Sequence, residues 1–317
     1  MWKVPLTRKN MKQIILFLLT TALLAGCLMN NNPYPMQDPP ASNPVLKVTT
    51  RVFSPFPLSR EEIFREGAAL GLFITSSNPN TLDTGNFRFQ NVLARAVLNK
   101  RPTLEWICTP CIPLTSEPVL LYAYYPYQPQ SSVRPTAVPI RLSADARRTP
   151  DYRYGTLAKG HKRVCSGSPV AMVSMKPVLP VLSLELYADK NLTEFPYLRN
   201  IQVSNQPGCA ALCQQGFLNL LTGEIQPIRS ATGATALKVS TPTRLDPAVA
   251  KRYELKVFPV HLPMKQGEIE ILFTLNDQTY RYPVPAHTRW EKGCRYVYRF
   301  VFTGDRIRLK QTSKQAL

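Results

Sequence analysis

The sequence predicts an all-β fold arranged as two β-sandwiches in series, and three observations carry that expectation. Thirty prolines stand against fourteen glycines, and few stretches repeat with helical period, which suits strands separated by proline-bearing turns. Apolar residues alternate with polar ones in several segments, the pattern of a strand with one buried face. Turn-forming clusters, among them Asn78-Pro79-Asn80, Asp83-Thr84-Gly85, Lys100-Arg101-Pro102 and Gln128-Pro129, break the chain between those segments.

In order, Leu46 to Phe53 is a β-branched run, and Ser59-Arg60-Glu61-Glu62 carries the capping-box pattern of one short helix. Ala69 to Thr75, Phe87 to Leu98, Thr103 to Ile107, Val119 to Tyr127 and Ala137 to Leu142 read as further strands. A second set begins near Pro169. Leu182, Leu184 and Leu186 alternate with Ser183 and Glu185; Ile269, Ile271, Phe273 and Leu275 alternate with Glu270 and Thr274. After the Asn276-Asp277 turn, Tyr280, Tyr282 and Val284 continue as a hairpin partner. Tyr296, Tyr298, Phe300 and Phe302 form an aromatic stripe, expected in a core, before Thr303-Gly304-Asp305 turns the chain into Ile307 and Leu309. These strands divide into sandwiches at 45–165 and 166–317.

Ahead of them, an apolar run from Ile14 to Leu24 follows Lys3, Arg8, Lys9 and Lys12 and closes on Leu24-Ala25-Gly26-Cys27. The run is shorter than the roughly 20 residues that span a bilayer and has the build of an export signal. Its end resembles the lipobox of bacterial prolipoproteins, which implies a signal peptide over 1–26, cleavage between Gly26 and Cys27, and lipidation of Cys27. Residues 27–44 have no hydrophobic period and read as a flexible tether.

Without the signal segment the chain keeps 35 Lys and Arg against 20 Asp and Glu, a net charge of +15. The charges are scattered, with no run of five, and an exported chain meets acidic glycans and acidic proteins rather than nucleic acid, so no nucleic-acid partner is expected. Besides Cys27, six cysteines allow 15 pairings. Cys108 and Cys111 flank Thr109-Pro110 in a CxxC spacing; with Pro113 following and strands on both sides, a turn holding a local disulfide or two free thiols fits better than a redox centre at a helix N-terminus. Cys209 and Cys213 lie far from that pair and from any histidine, so no metal site is expected. His161, His261 and His287 occur singly, and no hydrolase, phosphate-loop or dinucleotide motif is present; neither enzymatic activity nor a cofactor is expected.

Several short patterns, in order, carry a resemblance: Gly71-Leu72-Phe73-Ile74, Asn91-Val92, Trp106, Tyr122-Ala123-Tyr124-Tyr125-Pro126-Tyr127, Asp151-Tyr152-Arg153-Tyr154-Gly155, Gly216-Phe217-Leu218-Asn219-Leu220 with Thr222-Gly223, and Trp290-Glu291-Lys292-Gly293 leading into Tyr296-Val297-Tyr298. With them the chain resembles the fimbrillin family, the type V pilins and pilin-like lipoproteins of bacteria. That resemblance implies two transthyretin-like β-sandwich domains and an outer-membrane lipoprotein displayed at the cell surface in a fimbrium. It also implies assembly with other pilin subunits by β-strand exchange after an Arg-specific protease removes the first strand. Arg60 is the preferred cleavage candidate, with Arg51 and Arg65 beside it. A structural subunit or an accessory or tip component that contributes to adhesion follows, with a host or bacterial surface glycan or protein as partner. The alternative is a surface-anchored glycan-binding lipoprotein that does not polymerise, using exposed aromatics between Tyr122 and Tyr127 and failing if Tyr124 and Tyr125 are buried. The sequence departs from the family in its short, polar C-terminus from Gln311 to Leu317.

Overall fold

The computed structural model describes residues 44–52, 64–76, 87–98, 104–229, 233–260 and 265–317. Gly26, Cys27, Arg60, His261 and the capping-box segment lie outside them.

Among the described residues the secondary structure is strands and one 3-10 turn, Ala146–Arg148. The first eight strands are β1 (Lys47–Val52), β2 (Ala69–Ser76), β3 (Phe87–Leu98), β4 (Leu104–Thr109), β5 (Val119–Tyr125), β6 (Val138–Arg141), β7 (Arg153–Leu157) and β8 (Val170–Pro177). Seven of them close into a barrel in the order β1-β4-β3-β2-β5-β7-β8, so the two layers expected of a sandwich are joined at both sides. Its interior is filled by Val48, Leu70, Leu72, Ile74, Trp106, Leu121, Val173 and Met175. Register shifts in the β2–β3 ladder centre on the stretch facing Asn91, which stands at φ +49°, a left-handed conformation that Asn tolerates.

The remaining strands are β9 (Val181–Ala188), β10 (Tyr197–Asn205), β11 (Gln215–Leu218), β12 (Ile225–Ile228), β13 (Ala234–Arg244), β14 (Lys251–Lys256), β15 (Ile269–Leu275), β16 (Gln278–Pro283), β17 (Cys294–Phe302) and β18 (Ile307–Ala316). They build a β13-β10-β15-β16 sheet and a β14-β9-β17-β18 sheet. Between these lies a core of Leu182, Leu184, Leu186, Ile201, Val203, Ile271, Phe273, Trp290 and Phe300. β11 pairs with β12 on one side and with β6 on the other. This small sheet packs Ile140, Leu218 and Ile225 with Phe73, Tyr124 and Phe258 in a third core.

Of the prolines within strands, Pro139, Pro227, Pro242 and Pro283 fall on edge strands, where a missing N–H costs no pairing, and Pro177 is the last residue of β8. The aromatic stripe is in the core as expected, with Tyr298, Phe300 and Phe302 buried. Glu270, expected to face solvent, is 5% exposed because Arg281 of the neighbouring strand lies over it at 3.3 Å. Gln311 to Ala316, read from sequence as a short polar tail, completes β18 against β17.

Candidate functional site: the first strand and its cleft

β1 is held asymmetrically. Against β8 it runs parallel through six register pairs, from Lys47 opposite Val170 to Val52 opposite Met175. Against β4 it has one, Val48 opposite Trp106. Along that thinly paired side lies a cleft of about 390 Å³, bordered by Lys47, Thr49, Glu105, Ile107, Cys108 and Cys111. Parallel ladders are slightly weaker per residue than antiparallel ones, so β1 is the least firmly paired member of the barrel.

Its side chains alternate as the sequence requires. Leu46 and Val48 point into the core, while Lys47 and Arg51 face out. Burying one Leu and one Val is worth about 1.5–3 kcal/mol each, an amount that another segment of the same pattern would restore. On the β8 side Lys47 N–H donates to the Pro169 carbonyl at 2.9 Å and the Thr49 hydroxyl to the Ala171 carbonyl at 3.4 Å. Leu46 N–H donates to the Ile112 carbonyl at 2.9 Å, Leu114 N–H to the Pro44 carbonyl at 3.0 Å, and the Trp106 indole N–H to the Thr50 hydroxyl at 3.0 Å. Outside the barrel, apolar side chains stand unusually open around this strand: Ile107 (54%), Val170 (42%) and Met172 (39%).

Of the arginine candidates, Arg51 is exposed but lies within the β1–β8 ladder, opposite Ser174. Arg65 is exposed in the turn before β2, where its carbonyl accepts from Ala68 N–H at 3.0 Å. Immediately before it, Phe64 is buried edge-on to Trp106 and Tyr125, with ring centroids 5.2 and 5.1 Å away.

Cys108 is buried at the end of β4 and Cys111 is exposed just beyond it, and both border the cleft. Burial, reinforced by the nearby Cys111, pushes the Cys108 thiol up to about 11. A redox nucleophile needs the opposite shift, which Cys108 does not show. Cys209 and Cys213 join no cluster of metal-ligating residues, and among the described residues there is none of three or more His, Cys, Asp or Glu.

Tyr124 and Tyr125 are not exposed together, as a glycan platform between Tyr122 and Tyr127 requires; Tyr122, Tyr125 and Tyr127 are half-buried. Tyr124 is 1% exposed, stacked on Phe73 at 6.2 Å, and its hydroxyl donates to the Asn91 side-chain oxygen at 2.6 Å. Tyr124 is thereby removed from the glycan alternative and serves the core, because one face of β5 lies under the β6-β11-β12 sheet and the other lines the barrel. Residues that bear on the strand but were not legible as such include Thr50, Ile107 and Met172, since nothing local marks them as neighbours across the ladder.

Among the described residues the fold is built almost wholly of β-strands, with a loosely seated first strand, which defines an all-β protein. The chain belongs to the fimbrillin-like family, whose model matches residues 50–314. That membership supports a fimbrial role. No curated protein matches the sequence. Among solved structures, a fimbrial protein from Bacteroides vulgatus aligns over 86% of this chain and 99% of its own at 12% identity and TM-score 0.60. A candidate cell adhesion protein from Bacteroides ovatus aligns over 86% and 98% at 15% identity and TM-score 0.63. The tip fimbrial protein Mfa3 from Porphyromonas gingivalis, C-terminally truncated, aligns over 86% and 100% at 11% identity and TM-score 0.51. At these identities the likeness is one of fold. No helix among the described residues is long and apolar enough to cross a membrane.

Proposed function

We propose that this chain is a structural subunit, or an accessory or tip component, of a bacterial surface pilus, assembled by protease-triggered β-strand exchange and contributing to adhesion. In this reading it is exported as a lipoprotein, cut before Cys27 and carried to the outer membrane on the lipid there. The pairing of β1 supports the exchange: six register pairs to β8, one to β4, and a cleft along the open side. Removing β1 bares the edges of β4 and β8 and uncovers Trp106, Ala171 and Val173 in the barrel core. Unpaired backbone groups beside apolar pockets form a template for an extended segment of another subunit. The exposed Ile107, Val170 and Met172 then offer that subunit apolar contact beside the strand.

Arg60 remains the preferred cleavage candidate of this proposal. A cut within the β1–β8 ladder, at Arg51, requires the strand to lift out first, and a cut after Arg65 would remove the buried Phe64 together with the strand. We read the barrel and the paired sheets as two β-sandwich domains of transthyretin-like kind. The pairing of β8 with β1 and β7 favours a division after Pro177 over one at residue 165.

The test is intact mass and oligomeric state of the mature chain before and after limited digestion with an Arg-specific protease. An early cut, loss of the first strand and ladder-like association support the reading. Loss of the strand with neither self-association nor capture of a subunit's terminal segment overturns it.

A further inference from the structure

At the far end of the β14-β9-β17-β18 sheet a cleft of about 430 Å³ brings together Tyr187, Asp189, Lys190, Asn191, Arg299 and Lys310. We propose that this cleft binds an anionic sugar, one bearing a carboxylate or sulfate, as the ligand of an acidic glycan. The proposal rests on the adhesive reading above for its biological source, while the binding itself requires no assembly.

The sheet order makes the site. β17 runs parallel to β9, with Val301 opposite Tyr187 and Arg299 opposite Glu185, and β18 carries Lys310 alongside. The turn after β9 is tied to the end of β17 by Asp189 N–H donating to the Phe302 carbonyl at 2.8 Å. Lys190 and Lys310 thereby reach one cleft from positions 120 residues apart in the sequence.

The cleft keeps a net positive charge, with Asp189 as the one carboxylate among its lining residues. Glu185, whose side chain is 5% exposed, faces two guanidinium groups, Arg252 at 2.6 Å and Arg299 at 3.1 Å, so this trio keeps one positive charge. Lys190 and Lys310 have no acidic partner among the described residues. Arg299 is also preorganised: its Nε donates to Glu185, one terminal nitrogen donates to the Gln311 side-chain oxygen at 2.9 Å, and its guanidinium lies 6.0 Å from the Tyr187 ring centre.

A bare anion would need only the cations. The cleft also holds the Asp189 carboxylate, one oxygen of which accepts from Asn191 N–H at 2.9 Å, together with the Asn191 amide and the Tyr187 ring. A carboxylate with a spare oxygen accepts sugar hydroxyls, an amide both donates and accepts, and an aromatic ring packs against the C–H face of a pyranose. Cations for the acid group and acceptors for hydroxyls converge in one concavity, the pattern of a small-ligand site.

Calorimetric titration of the intact mature chain tests this with trigalacturonic acid and a sulfated disaccharide as probes, and with maltotriose and inorganic phosphate as controls. Binding of an anionic sugar in preference to both controls is expected. Lys190→Gln with Lys310→Gln should weaken it about tenfold or more, and Arg88→Gln with Arg95→Gln, an equal loss of charge on the barrel, less than about twofold. No binding, equal binding of phosphate, or equal weakening by the two variant pairs overturns the proposal. Because the assay reads the unassembled chain, failure of strand exchange and failure of this site are separately visible.

Discussion

The indole nitrogen of Trp106 donates a hydrogen bond to the Thr50 hydroxyl at 3.0 Å, joining β4 to the strand that shares only one register pair with it. This contact clasps the open side of β1, with Trp106 itself buried in the barrel core. Replacing Thr50 by Val keeps the shape and removes the acceptor, at a cost of about 0.5–1.5 kcal/mol. Amide hydrogen exchange in Lys47–Val52 should accelerate severalfold while β9 and β17 keep their protection; unchanged exchange in β1 would show that the clasp contributes nothing.

Gly71 lies where a Cβ would overlap the buried ring of Tyr124, whose hydroxyl is committed to Asn91. Gly71→Ala should therefore destabilise the barrel by about 1–3 kcal/mol, the usual cost of overpacking a filled core. The shift of the urea midpoint measures it.

Glu185 carries an acid-dependent share of stability. Burial pushes its carboxyl up, and hydrogen bonds and charge from Arg252 and Arg299 together outweigh that, leaving it below the ordinary carboxylate value. A depressed native pKa gives stability that is complete above the unfolded value of about 4.3 and is lost as pH falls through the native one. Glu185→Gln should lower stability at pH 7 by about 1.5–3 kcal/mol and flatten part of the loss below about pH 4. Chemical denaturation at pH 7 and pH 3 checks both effects.

In reduced protein, Cys111 should alkylate with iodoacetamide at neutral pH long before Cys108, which is buried and whose thiol is pushed up to about 11. Peptide mass spectrometry after timed quenching reads the order. The same experiment without reductant tests a Cys108–Cys111 disulfide, which would block both positions.

Strand content was legible wherever apolar residues alternate with polar ones. Leu182, Leu184 and Leu186 show it, and so do Ile271, Phe273 and Leu275, all buried as their alternation implies. β10, β13 and β14 were harder to see, because their exposed positions on edge or half-covered faces carry a mixture of residue types. Tyr124 misled as part of an exposed platform, since a tyrosine suits either a wet surface or a core with a partner for its hydroxyl. Asn91 supplies that partner from another strand.

The sequence by itself determined the class of fold and the inward face of its clearest strands, because side-chain alternation is a property of the extended backbone and needs no partner. Only the tertiary structure decided which edges meet. β1 lies parallel to β8 across more than a hundred residues of chain, leaving a cleft toward β4, and Lys190 and Lys310 line one cleft at the end of β9 and β17. Such meetings depend on sheet order and register between remote segments, and no local pattern of residues encodes the partner on the other side of a ladder.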